Sequence, residues 1–453
     1  MTQQELQHLY WRAGFGINPD RLKSMSKNKK QVVKDIFAAS KYVSPLHIDL
    51  SYLDGITQID LKNFPELAKE IRKKGNKKIL ELNYAWIKRL INPNELLRER
   101  MTLFWANHFV CRDRSPLYAE QYNNTLRDFA LGNFRDFVKA ISKEAAMLRY
   151  LNGNKNRKKR PNENFARELM ELFTLGEGQY SEKDIKESAR AFTGYTYNFE
   201  GEFLFTESKH DNGTKVFFNR IGKYDGDDII DIILEDKKCA RFISDKIYRY
   251  FVNPAPNRKH IEAMTEVFYK DYNIERLMRF VFLSDWFYDD ANMGSKIKSP
   301  IEYMVGMANT VPVTFEKEKD LLKIQKVLGQ ILLDPPNVAG WKGNKAWIDA
   351  NTIMVRLKLP SVLLNNAVIA LDENDEFRKK FFKKNKGKLP FKTIPDWNAF
   401  LKNYELVETK NLQDYVIQGN LNKGTSGYLK TLSKSSKQEY CVQLMSLPEY
   451  QMC

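Results

Sequence analysis

Cysteine is scarce in this chain. Cys111, Cys239, Cys441 and Cys453 are the only four, and no pair stands at Cys-x-x-Cys spacing. Neither a zinc knuckle nor a disulfide framework is indicated, and reduced thiols are the plain reading. Long apolar runs are missing too: none approaches the roughly 20 residues that a membrane helix needs, so no membrane span is expected. The first residues, Met-Thr-Gln-Gln-Glu-Leu-Gln-His, have neither a basic n-region nor an apolar h-region. The absence of a signal peptide points to the cytoplasm. The sequence also contains no nucleophile elbow, no glycine-rich phosphate loop, no His-Glu-x-x-His and no dinucleotide fingerprint. The familiar catalytic templates are therefore excluded, and any chemistry must come from dispersed residues.

What is present is a globular chain of 453 residues, 43% hydrophobic, with 73 lysines and arginines against 57 acids. The resulting charge of +16 allows attraction to nucleic acid, anionic surfaces or acidic glycans. No nucleic-acid-binding motif accompanies it, so nucleic acid is not the expected partner.

The densest polar stretch runs from Asn162 to Gly194. Phe165, Leu169, Leu172 and Phe173 recur at i, i+4, i+7 and i+8, which predicts a helix beginning near Asn164 with one face packed inward. Gly176 ends it. Ser181 with Asp184 predicts a capped second helix closed by Gly194, making a helix hairpin. Arg167, Glu168 and Glu171 share a flank of the first helix, and their spacing brings Glu171 near both of the others. Such a group is either an ion-pair network or a site.

Elsewhere the period is mainly helical. The first helix ends near Arg12, which reads either as a charge favouring the helix dipole or as an anion ligand. Leu97, Met101, Phe104 and His108 form one stripe, so His108 is expected on or beside a buried face. Asn152 to Asn162 is a basic, helix-breaking loop. At Tyr195 the period changes to alternation through Phe199, resumes at Phe203 and Phe205, and after His210-Asp211-Asn212-Gly213 a run from Thr214 to Phe218 reads as extended. Lys296 and Lys298 precede a helix start, able to serve an anion but more naturally read as solvated. Pro335 to Trp347 packs two prolines, two glycines and two tryptophans closely enough to suggest a rigid aromatic surface, suited to stacking on a sugar or plugging a pocket rim. The expected fold is mainly α: a large multi-helix module over residues 1–371 with one small antiparallel β insert near 195–219. A helical extension over 372–453 is expected to pack on the same module, after a charge-segregated stretch that begins it.

Several segments taken together carry a resemblance. They are Trp11-Arg-Ala-Gly-Phe-Gly16, Phe104-Trp-Ala-Asn-His-Phe109, His210-Asp211, Gly226-Asp227-Asp228, and Gln330 followed by Pro335-Pro-Asn-Val-Ala-Gly-Trp341. In this order, over nearly the whole chain, they resemble a bacterial family catalogued as domain of unknown function 1800. The resemblance implies no reaction. It does imply a frequent genomic neighbour whose fold resembles sulfatases and alkaline phosphatases, and with it a route of export on a partner's twin-arginine signal.

Two kinds of function are open to such a sequence. One is an enzyme, metal-assisted or acid-base, acting on an anionic or carbohydrate substrate. In that reading Glu168, Glu171 and Arg167 are catalytic, and Arg12, Asn164, Asn337 and Trp341 bind substrate. His108, Glu168, His210 and Asp211 are the ligands of a divalent metal. The other is a non-catalytic partner or maturation factor for the phosphatase-like neighbour. If there is a site, Arg167, Glu168, Glu171, His108 and His210 are expected to line one cavity.

Overall fold

The computed structural model describes residues 1–365, 391–432 and 436–453. Helices carry the architecture, as the 3.6-residue period predicts. Among the described residues the strands form three two-stranded antiparallel sheets. Two of them fall at the predicted insert, the second running three residues past its expected end at 219. Tyr195–Tyr197 pairs with Phe203–Phe205, and Lys215–Phe217 pairs with Arg220–Gly222. The third, Val313–Phe315 with Thr393–Pro395, joins segments far apart in sequence and was not expected. Such short strands carry too little alternation to be read, and their pairing rests on tertiary packing.

Two hydrophobic clusters organise the helices. The first gathers buried residues between Leu6 and Tyr288, among them Trp105, Phe109, Phe134, Phe137 and Phe173, whose rings meet both edge-on and stacked. The second draws together the Leu82 to Leu90 face of a long helix, Ile301 to Leu332, and residues from Val355 to Tyr450. Side chains from 391–450 thus share a core with helices from the body of the chain. The charge-segregated stretch that follows Leu371 lies outside the described residues, as does the 371/372 boundary.

The central hairpin forms, with one departure. Asn164–Glu168 is α-helical, but Leu169–Thr174 widens into a π-helix, with the Leu175 N–H bonding the Met170 carbonyl. Thr174 Oγ1 donates to the Leu169 carbonyl at 2.6 Å, a side-chain bond back across the same turn. The second helix, Glu182–Ala191, starts with the predicted Ser181/Asp184 capping box.

Candidate functional site

The helix Leu96–Ala106 ends two residues before His108, whose backbone N–H still bonds the Trp105 carbonyl. The ring is buried against Phe104, Trp105, Phe109 and Phe173, as its stripe predicted. Its Nε2 lies 3.1 Å from the Phe173 carbonyl oxygen and its Nδ1 lies 3.2 Å from Lys246 Nζ. A carbonyl can only accept, so Nε2 carries the hydrogen and Nδ1 presents its lone pair to the lysine. Burial first, then the Lys246 charge, holds the His108 pKa well below the ordinary histidine value, with the Phe173 bond acting the other way.

Lys246 comes from the helix Lys237–Phe251, where Lys246, Arg249 and Tyr250 share a face at i, i+3 and i+4. Its Nζ donates to the Leu172 carbonyl at 2.9 Å as well as to His108. The central stretch therefore reaches this site through its backbone. The last carbonyls of the π-turn, Leu172 and Phe173, lack helical N–H partners, and a cation and an imidazole N–H satisfy them. Among the described residues no carboxylate bonds Lys246, and burial lowers its pKa to about 8, only partly opposed by Asp245.

These groups open onto a cavity of about 450 Å³. Lys296, Ser299, Gln330, Asn344 and Trp347 line it with Asn107, His108, Lys246, Arg249 and Tyr250. Among the described residues, no aspartate or glutamate lines it. Lys296 and Lys298 are both buried, which corrects the solvated reading of these two lysines. Lys296 Nζ sits 3.8 Å from the centre of the Tyr250 ring and bonds Glu302. Burial, offset in part by Glu302, brings its pKa down to about 8. Arg249 stands at the exposed rim, held by Asp245 at 2.7 Å. Asn107 clasps the Trp341 backbone at both ends, accepting from its N–H at 2.8 Å and donating to its carbonyl at 3.1 Å. Gly340, at φ +75°, makes the clasp possible, because a Cβ there would lie 2.3 Å from Asn107 Oδ1. Two segments far apart in sequence thus meet at one cavity wall.

Other expected site residues lie elsewhere. Arg167, Glu168, Glu171 and His210 are not among the residues lining this cavity. Arg167 makes a bidentate pair with Glu182 at 2.8 and 2.9 Å and a longer contact with Glu163. Glu168 is partly buried beside Glu171, and burial, then that neighbour, raises its pKa. Glu171 accepts from the Tyr180 hydroxyl at 2.9 Å. His210 is buried, with Nδ1 2.8 Å from the Thr193 carbonyl, and Asp211 pairs with Arg190. Arg12 is fully buried, donating to the Asn292 carbonyl and Ser295 Oγ. Asn164 and Asn337 are exposed, and Trp341 is buried at the clasp. Among the described residues no three His, Cys, Asp or Glu side chains gather in a group able to hold a metal ion. Lys246, Arg249 and Tyr250 were missed in the sequence, because cations on an amphipathic helix ordinarily mark its solvated face.

The fold and cavity define a mainly helical protein with a cation-lined pocket. Residues 8–452 match the family described as protein of unknown function DUF1800, and the chain belongs to that family. No curated protein and no solved structure matches the chain. No helix among the described residues is long and apolar enough to cross a membrane.

Proposed function

We propose that the chain is an acid-base enzyme acting on an anionic, sugar-type substrate held in the His108–Lys246–Lys296 cavity. The observation that carries this reading is the lining: two lysines, an arginine at the rim and a histidine, with no carboxylate among the described residues. Lys246, partly desolvated and without a carboxylate bonded to it among the described residues, favours an anion, because attraction is far stronger there than in bulk water. Asn107, Gln330 and Asn344 supply amides for hydroxyl groups, and Trp347 offers an indole for a sugar face. His108 Nδ1, hydrogen-bonded to Lys246 Nζ, can exchange a proton with it.

Inorganic phosphate and sulfate test the binding half of the proposal. Lys246 and Lys296 carry their charge fully only below about 8. Both anions should raise the melting temperature at pH 7, and the shift should shrink several-fold at pH 9. Equal shifts at both pH values, or none at either, would sink the reading. Metal analysis of purified protein tests the divalent-ion reading of His108, Glu168, His210 and Asp211, which requires His108 to release Lys246 and Asp211 to release Arg190. The partner reading draws on exposed Leu204, Phe205 and Ile221 on the two hairpins of the insert. Co-purification with a sulfatase- or phosphatase-like protein that is lost on Phe205→Asp and Ile221→Asp would favour it.

A further inference from the structure

We propose that Lys246 is a nucleophile that forms an iminium with the carbonyl carbon of an anionic aldehyde or ketone bound in the same cavity. The inference rests on the anion-binding reading and names the substrate class: a carbonyl compound carrying phosphate, sulfate or carboxylate.

The geometry around Nζ is the argument. Both groups that bond it, the Leu172 carbonyl and His108 Nδ1, are neutral acceptors. A neutral amine has two N–H bonds, so it satisfies both acceptors and keeps its lone pair at the remaining tetrahedral position. The Phe242 ring, centred 4.6 Å from Nζ, and the cavity that Lys246 lines share the remaining side of the amine. A lysine needed only as a counter-charge would be expected beside a carboxylate, as Lys296 is beside Glu302. His108 is arranged to assist, since its Nε2–H is committed to Phe173 and its free lone pair faces the amine. Desolvation, which brings Lys246 to a pKa of about 8, leaves a substantial share of neutral amine near neutral pH.

In the step itself, the Lys246 ammonium passes one proton to His108 Nδ1 and the freed amine attacks the carbonyl carbon. The N–C bond forms, and the carbonyl oxygen recovers the proton from His108. That oxygen then takes a second proton from nitrogen and leaves as water. The third stays on the iminium nitrogen, so the charge is conserved and no oxidant or reductant is needed. Lys296 and Arg249 stand in the same cavity to hold the anionic group.

The test uses the full chain with glycolaldehyde phosphate and cyanoborohydride, followed by peptide mapping of the wild-type protein. An ordinary exposed lysine is only about 0.1% neutral at pH 7.5. Lys246 should therefore acquire the reduced adduct about tenfold or more faster than any exposed lysine, and inorganic phosphate should suppress it. Lys246→Arg keeps the charge and should keep the phosphate-induced melting shift while losing the adduct. Should phosphate stabilise the protein while Lys246 labels no faster than exposed lysines, the iminium is overturned and the anion site stands. Failure of phosphate both to stabilise the protein and to slow labelling overturns the two together. If Lys246→Arg does not fold, the rate at Lys246 in the wild type decides alone.

Discussion

At the scale of single residues, burial decides which charges matter. Glu302 is buried at the centre of Arg12, Arg100, Lys296, Lys298 and Arg356, all themselves buried. Burial opposes its ionisation, but Arg100 and Lys296 hold its carboxyl well below the usual range. Glu302→Gln removes the one carboxylate bonding Arg100 and Lys296, and should cost about 3–5 kcal/mol in a denaturant melt. Glu168→Gln should behave in the opposite way. Arg167 takes its charge partner from Glu182, so no buried pair is broken, and a change within about 0.5 kcal/mol is expected. A loss of several kcal/mol at Glu168 would contradict this assignment. The central stretch reaches the cavity through groups that its residue types do not announce. Its carboxylates were the visible chemistry, whereas its contribution to the cavity is made by the carbonyls of Leu172 and Phe173. Backbone acceptors freed by a π-turn leave no mark in residue type.

Among the elements, the periodic ones were legible. The capped helix at Ser181, the His108 stripe and the strands at 195–205 follow from spacing alone. The pairing of 313–315 with 393–395 was not, because three-residue strands show no period and their partner is set by the whole fold. Lys246, Lys296 and Lys298 were hidden for a related reason: a lysine is read as solvated until neighbouring elements are known to cover it. The Asn107–Trp341 clasp was legible only as two separate motifs. It depends on Gly340, and Gly340→Ala would force a Cβ onto Asn107 Oδ1 at a positive φ. The expected result is a loss of about 1 kcal/mol or more, together with a weaker phosphate-induced melting shift, because the clasp forms one wall of the cavity. Unchanged phosphate binding in a destabilised Gly340→Ala protein would show that the clasp supports the fold and not the cavity.

For the whole molecule, the buried lysines leave a signature in the pH dependence of stability. Lys246 and Lys296 are lowered to about 8 and Lys298 to about 7, in each case chiefly by burial. In the unfolded chain all three stay protonated to about pH 10. Between pH 7 and 8 the unfolded state therefore holds more protons, and stability rises with pH. Burial pushes the thiols of Cys111, Cys239 and Cys441 up, so their ionisation on unfolding opposes this from about pH 8. The lysines prevail in that window, and a net gain of about 1 kcal/mol is expected in urea melts at pH 7 and 8. A stability that falls over the same interval would mean that these lysines are solvated. The central claim is that the carboxylate-free cavity beside His108, Lys246 and Lys296 is an anion site. The most direct measurement is an anomalous-difference map from a crystal soaked in selenate, with all five residues from Lys246 to Tyr250 in view. The account predicts a tetrahedral oxyanion within hydrogen-bonding distance of Lys246 Nζ inside the cavity, absent from a crystal of Lys246→Met. Selenate bound only at exposed surface lysines, with the cavity holding water alone, would contradict it.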